Sequence, residues 1–280
     1  MTLTGVYVPL ITPFDAGGHV AYDALDRLAG ELLDDGAHGL VALGTTGEPG
    51  SLSPDEQRGV VDVIAGVCRQ RQAPFVVGAS LVVPPPGDAQ AVLTLVPPFV
   101  RPGEEGVVAY FSAYARSSPV PVLVYHVPYR TGQPLSAATL RRIAALDNVA
   151  GVKLAAGGID DETVALLADP PPDFAILGGD DAFLSPLLAL GAHGGVLASA
   201  HVETAGFAAL VQAWRDGDVS GARAAGRRLA RLSLALFAAP NPTVIKAVLH
   251  ARGRIPTPAV RLPLVPAAPA AVEGALESVK

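Results

Sequence analysis

Short, largely apolar runs recur along the chain and constrain its fold more than any other feature. They are Gly5–Ile11, Gly39–Leu43, Phe75–Gly78, Ala91–Val96, Pro121–His126, Val149–Leu154, Phe174–Leu177 and Gly195–Ser199. Helical periodicity separates most of them. In Tyr22–Asp35, residues Leu25, Leu28, Ala29, Leu32 and Leu33 share one face and Gly36 closes the segment. Ser53 and Pro54 are a cap and first-turn pair for the helix containing Gln57–Arg71. Glu104–Arg116, Ser136–Leu146, Asp161–Ala168, Ala182–Leu190 and Glu203–Arg215 read as further helices. Strands without a polar face are buried on both sides, which requires a parallel sheet covered by helices. Eight strands in such alternation predict an α/β fold, a closed (β/α)8 TIM barrel over residues 1–216. Beyond it, Val219–Phe237 and Thr243–Ala251 read as added helices and Pro256–Pro269 as irregular chain before a last short helix. Residues 217–280 are therefore expected to form a C-terminal helical extension packed on the barrel.

One connection departs from the alternation. Between the third and fourth strands lies only Ala79–Gln90, which contains Pro84-Pro85-Pro86. A parallel crossover ordinarily contains a helix, and consecutive prolines exclude one. One outer helix of the barrel is expected to be missing.

Composition excludes several functions. A net charge of −6 without basic clusters argues against a nucleic-acid partner. Cys68 is the only cysteine and sits in a helical pattern, so neither a disulfide framework nor a cysteine metal cage is available. The six histidines show no metal-ligand spacing, and no Gly-x-Gly-x-x-Gly joins a strand to a helix. No metal and no cofactor are expected. Without a long apolar helical stretch there is no membrane partner, and a soluble cytoplasmic protein is the expectation.

The sixth strand ends in Val152-Lys153-Leu154, followed by the turn Ala155-Ala156-Gly157-Gly158. Only three of the 20 basic residues are lysines: Lys153, Lys246 and Lys280. A lysine inside an apolar strand either reaches water with its amine or suffers desolvation, and a desolvated amine is a nucleophile toward carbonyl carbon. An edge-strand lysine that extends to solvent is the alternative. Barrel chemistry sits at the C-terminal ends of the strands. Those ends carry Thr45-Thr46, Tyr125, Arg130, Lys153, Gly179-Asp180 and Ser199. Such a set suits carbonyl chemistry: an amine for the imine, a phenol to move protons, and hydroxyls and glycine-loop N–H groups to hold a carboxylate. Taken singly, Gly44-Thr45-Thr46-Gly47 could be a tight turn, Tyr125 a rim aromatic, Arg130 a solvated loop residue and Gly178-Gly179-Asp180 part of a phosphate site.

In this order the motifs resemble the dihydrodipicolinate synthase / N-acetylneuraminate lyase family of pyruvate-dependent class I aldolases. The resemblance is carried by Gly44-Thr45-Thr46-Gly47-Glu48, by Tyr125-His126-Val127-Pro128-Tyr129-Arg130-Thr131-Gly132, by Gly151-Val152-Lys153 and by Gly179-Asp180-Asp181. It implies Lys153 as the Schiff-base lysine for pyruvate or another 2-oxo acid, and Tyr125 as the proton relay linked through Thr45. It implies Thr46, with Gly47 beside it, at the pyruvate carboxylate, and Gly179 in the loop that closes the pocket. The paired threonines, and Arg130 as receptor for the carboxylate of aspartate semialdehyde, favour the dihydrodipicolinate synthase branch. The family is commonly tetrameric, built from two tight dimers, so a homo-oligomer, dimer or tetramer, is implied.

Three departures stand out. The synthase motif Pro-Tyr-Tyr is Pro97-Pro98-Phe99 here, so the tyrosine that the family contributes across a subunit interface is a phenylalanine. The usual Asn-Val-Pro is His126-Val127-Pro128. The lost helix removes part of the lysine-feedback site of regulated members, and no inhibition by lysine is expected. Besides a dihydrodipicolinate synthase-like enzyme, a sugar-acid or other 2-oxo-acid aldolase or dehydratase, and a non-enzymatic 2-oxo-acid-binding paralogue, remain open at this level.

Overall fold

The computed structural model describes residues 3–79 and 83–278; residues 80–82 of the short connection and Lys280 lie outside the described residues. In chain order the elements are β1 (Gly5–Pro9), α1 (Tyr22–Asp34), β2 (Gly39–Ala42), α2 (Pro54–Arg71), β3 (Phe75–Gly78), β4 (Ala91–Leu95) and α3 (Gly103–Ser117). They continue with β5 (Val122–His126), α4 (Pro128–Thr131), α5 (Ala137–Ala144), β6 (Val149–Leu154), α6 (Asp161–Ala168), β7 (Ala175–Gly178), α7 (Leu184–Ala189) and β8 (Gly194–Val196). Four helices follow: α8 (Ala200–Arg215), α9 (Val219–Leu236), α10 (Thr243–Ala251) and α11 (Pro269–Glu277). The strands pair in parallel in sequence order and close, β8 on β1, into a TIM barrel.

Strand alternation sorts each run into two layers. Along β5, Leu123 and Tyr125 join the cluster that fills the barrel, with Tyr7, Val41, Val76, Leu93, Leu177 and Val196. Val122 and Val124 join the layer between strands and helices, with Phe75, Phe111, Ile143 and Phe207. Along β6, Val152 and Leu154 pack outward, so the intervening Lys153 is on the inner face. The lysine is not at an edge, because a closed barrel has none.

Among the described residues no helix lies between β3 and β4, which pair directly, Val76 with Ala91 and Gly78 with Leu93. The connection supplies its own core residues. Val83 and Ala89 are buried in the outer layer, where a crossover helix would bury its apolar face. Gln90 holds the connection to the barrel, its N–H donating to Phe75 O at 2.8 Å and its side-chain oxygen accepting from the Tyr7 hydroxyl at 2.8 Å.

Helix α2 starts with the expected cap, now a reciprocal capping box: Glu56 N–H donates to Ser53 Oγ at 3.2 Å and Ser53 N–H to Glu56 Oε2 at 2.8 Å. The extension does more than lie on the barrel. Leu229, Leu232 and Leu236 of α9 and Val244, Ile245, Val248 and Leu249 of α10 belong to the same buried layer as the barrel helices. Arg261, beyond α10, forks onto Glu56 at 2.7 and 2.8 Å, and the guanidinium pushes that carboxyl down to about 2. No helix among the described residues is long and apolar enough to cross a membrane.

Candidate active site

Parallel pairing sets Tyr125 beside Lys153 at the C-terminal ends of β5 and β6. Both are buried, and Lys153 Nζ lies 4.3 Å from the centre of the Tyr125 ring, over its face. Position 179 must be small. A Cβ there would fall 2.8 Å from Lys153 Cε and 2.9 Å from its Cγ. The Gly179 N–H donates to Leu154 O at 2.8 Å, so this glycine serves the site by its missing side chain, and its N–H is committed within the fold.

Thr45 and Thr46 lie after β2 in a single turn of 3-10 helix that returns through Glu48 in the left-handed region at φ 55°. Thr46 is buried and Thr45 is exposed at the mouth. A small inner cavity of about 30 Å³ brings together Thr45, Thr46, Tyr125, Arg130, Lys153 and Gly179, with Pro9 and Val196 as its floor. Gly47 is not among the residues lining it. Its N–H donates to Gly44 O at 2.9 Å and its carbonyl accepts from Thr12 Oγ1 at 2.7 Å, so it shapes the turn from behind. Among the described residues no hydrogen bond joins Thr45 to Tyr125, nor does Ser199 reach the cavity: its N–H donates to Asp181 Oδ2 at 2.5 Å.

Several lining residues stand in the motifs read from the sequence but are given no role of their own there. Asp181 is buried beside the lysine, and burial pushes its carboxyl up to about 6, against the pull of the Ser199 N–H and the Lys153 charge. Tyr129 is exposed; its hydroxyl donates to Asp180 Oδ1 at 3.1 Å, while Gly157 N–H donates to Asp180 Oδ2 at 2.7 Å. This ties the loops after β5, β6 and β7 across the mouth. Although much of the residue is exposed, partial desolvation of the phenol, then the Asp180 charge, raise it above its ordinary range. Arg130 stands beside it at the mouth, 5.9 Å from the Tyr129 ring centre. Outside this rim lies a cavity of about 650 Å³ bounded by Phe183, Leu234 and Phe237 as well as by Tyr129, Arg130 and Asp180.

Asn241 comes from the C-terminal extension and lines both cavities. Its Nδ2 donates to Thr46 Oγ1 at 2.9 Å. Behind the same turn, Lys246 of α10 is fully buried, with Nζ donating to Glu48 Oε1 at 2.7 Å and to Thr12 O at 2.8 Å and lying 4.1 Å from the Phe14 ring centre. The other Glu48 oxygen accepts from Arg261 N–H at 2.9 Å. A lysine within an apolar helix was the available signal for this clamp. Nothing in the local sequence links it to a carboxylate nearly two hundred residues earlier. Among the described residues no group of three or more His, Cys, Asp or Glu side chains is placed to hold a metal ion.

Comparison with known proteins agrees with this geometry. The model of the Dihydrodipicolinate synthetase family matches residues 2–79 and 87–277, leaving out part of the shortened connection. The chain is 36% identical over 269 residues to the 4-hydroxy-tetrahydrodipicolinate synthase of Moorella thermoacetica, covering 93% of this chain and 91% of that protein. Among solved structures, dihydrodipicolinate synthase from Thermotoga maritima superposes with a TM-score of 0.92 at 28% identity, covering 100% of this chain and 98% of that one. The chloride-inhibited dihydrodipicolinate synthase from Acinetobacter baumannii, complexed with pyruvate, does so with a TM-score of 0.90 at 29% identity and 99% coverage of each chain. With a buried, inward-facing lysine beside a tyrosine and a threonine turn, and matched over nearly its whole length, this chain belongs to the dihydrodipicolinate synthetase family.

Proposed function

We propose that this protein is a class I, Schiff-base-forming synthase of the 4-hydroxy-tetrahydrodipicolinate synthase type, condensing pyruvate or a related 2-oxo acid with aspartate semialdehyde. The observation that carries the reading is the inward, buried Lys153 at the base of a cavity shared with Tyr125, Thr45 and Thr46. In its neutral form the amine adds to C2 of the 2-oxo acid; the resulting carbinolamine becomes the protonated imine on Lys153 once its hydroxyl takes a proton and departs as water. Tyr125 is the group placed to give that proton and to remove one from C3, leaving an enamine. C3 of the enamine then bonds to the aldehyde carbon, whose oxygen takes up a proton. Thr45 lines the same cavity as Tyr125, at its mouth, and takes part in proton relay through what binds there. Thr46, backed by the Gly47 turn, holds the 2-oxo acid carboxylate. Gly179 leaves room for the lysine, and Arg130 receives the carboxylate of the incoming aldehyde with its guanidinium fork.

The test is to incubate protein with pyruvate, reduce with borohydride and weigh it intact. A pyruvate-sized adduct on Lys153 that is absent in Lys153→Ala supports the reading; no adduct on folded protein sinks it.

The size of the outer cavity, about 650 Å³, favours a second reading, an aldolase for a bulkier aldehyde. Cavities of roughly 300–1,000 Å³ accommodate drug-sized ligands, and a four-carbon semialdehyde occupies a fraction of that. Turnover of a panel of aldehydes with pyruvate separates the two. We further infer a homo-oligomer joined through the loop after β4, where Phe99 is 90% and Val100 75% exposed in the single chain. Light scattering of the native protein and of Phe99→Asp tests it, a monomer in both cases being the adverse result.

A further inference from the structure

We propose that Asn241, in the C-terminal extension, is a positioning residue of the 2-oxo-acid site, setting the direction in which the Thr46 hydroxyl donates. The proposal rests on the reading of Lys153 and Thr46 as the site of a 2-oxo acid. A threonine hydroxyl has one proton to give and lone pairs to accept with. Asn241 Nδ2 donates to Thr46 Oγ1 at 2.9 Å, so one of that oxygen's two lone pairs is held by the protein. The Thr46 proton is then presented elsewhere, and Thr46 lines the inner cavity. A hydroxyl held in this way meets an anion with its proton already turned outward, whereas an unheld one must reorient on binding.

Two independent features show that the arrangement is built. The first is the rigidity of its support. Asn241 lies two residues before α10, and in the first turn of that helix the fully buried Lys246 grips Glu48 and Thr12 O, so one short segment holds both ends of the Thr46–Glu48 turn. The second is Asn241 Oδ1, which is buried and has no hydrogen-bond partner among the described residues. A buried amide oxygen left unpartnered costs free energy, a cost that accompanies the placement of the amino end on Thr46.

The test uses the full-length protein and the pyruvate dependence of borohydride trapping on Lys153, with steady-state kinetics alongside. Asn241→Ala is expected to raise the half-saturating pyruvate concentration about tenfold with the plateau of adduct, and kcat to within about twofold, unchanged. Asn241→Asp is nearly isosteric but can only accept. It takes the Thr46 proton for itself and adds negative charge beside a carboxylate, so it is expected to be worse than the alanine variant. In a Thr46→Val background, Asn241→Ala is expected to have no further effect on half-saturation, since the group it acts through is gone. Wild-type half-saturation in Asn241→Asp, a loss confined to kcat, or full additivity with Thr46→Val would each overturn the proposal. If the wild-type protein itself forms no pyruvate adduct, the site reading fails, and Asn241 with it. Should Asn241→Ala not fold, Asn241→Leu, close in size and without a donor, takes its place in the same Thr46→Val cycle.

Discussion

Lys153 occupies the space that any side chain at position 179 would claim: a Cβ on Gly179 would stand 2.8 Å from Lys153 Cε. That distance is well inside van der Waals contact, and the lysine Cγ is equally close, so a rotation of the amine end alone gives no relief. Gly179→Ala is therefore expected to displace the amine from its place over Tyr125 while leaving the barrel folded. Trapping of pyruvate on Lys153 should slow by about one to two orders of magnitude, the cost of an ångström-scale misplacement. Unchanged trapping kinetics would show that the lysine has other room.

Glu48 and Lys246 form an ion pair whose side chains are 2% and 0% exposed. Burial pushes the Lys246 amine down to about 8, with Glu48 opposing that drop, so the amine keeps its proton at neutral pH. Removing one partner strands the other charge. Lys246→Met is expected to destabilise the protein by about 3–5 kcal/mol, and the double variant with Glu48→Gln to recover much of the loss, because desolvation of both ions is then avoided. Urea unfolding of the three variants is the measurement; a Lys246→Met protein as stable as the wild type would refute the expectation.

His126 and His201 are buried and pushed down to about 4 by that burial. His201 Nε2 accepts from Ile11 N–H at 3.1 Å while Nδ1 faces Ala198 O at 2.8 Å, so the neutral ring carries its proton on Nδ1. In the unfolded chain both titrate near 6.5, and below that pH the unfolded state binds more protons than the folded one. Their contribution is complete above that value and is lost as the pH falls toward about 4, to the extent of on the order of 3 kcal/mol each. Asp181, pushed up to about 6, works in the opposite sense, since below that pH the folded state takes up its proton first. Two histidines outweigh one carboxyl. Urea-unfolding free energies should fall from about pH 7 to about pH 5, and a flat or rising profile would contradict the assignment.

Arg130 is exposed at the mouth and Lys153 is buried in the cavity it lines; on the proposed reading the two act on different substrates. Arg130→Ala should leave pyruvate trapping on Lys153 unchanged. KM for an aldehyde bearing a carboxylate should rise by about ten- to a hundredfold, with little change for a neutral aldehyde. Equal losses for both aldehydes would mean that the arginine shapes the mouth without reading charge.

Much of this molecule is local in its sequence. The strands are legible because burial on both faces demands continuous apolar runs, and α2 because Ser53 and Glu56 cap each other within one turn. Pro84-Pro85-Pro86 rules out a helix by the loss of N–H donors and fixed φ alone. The candidate residues at the strand ends follow from the same reasoning, since a barrel brings those ends together whatever the detail of its loops. The tertiary structure decided the rest. That Val83 and Ala89 stand in for the missing helix depends on where the connection folds back. That Gly47 and Gly179 spend their N–H groups within the fold, and so leave the carboxylate to other donors, depends on turn geometry. Asn241 reaches Thr46, and Lys246 reaches Glu48, across 195 and 198 residues of chain. A sequence specifies periodicity and turn chemistry over a few residues, whereas a hydrogen bond between distant segments exists only once packing has fixed both backbones within three ångströms or so of each other.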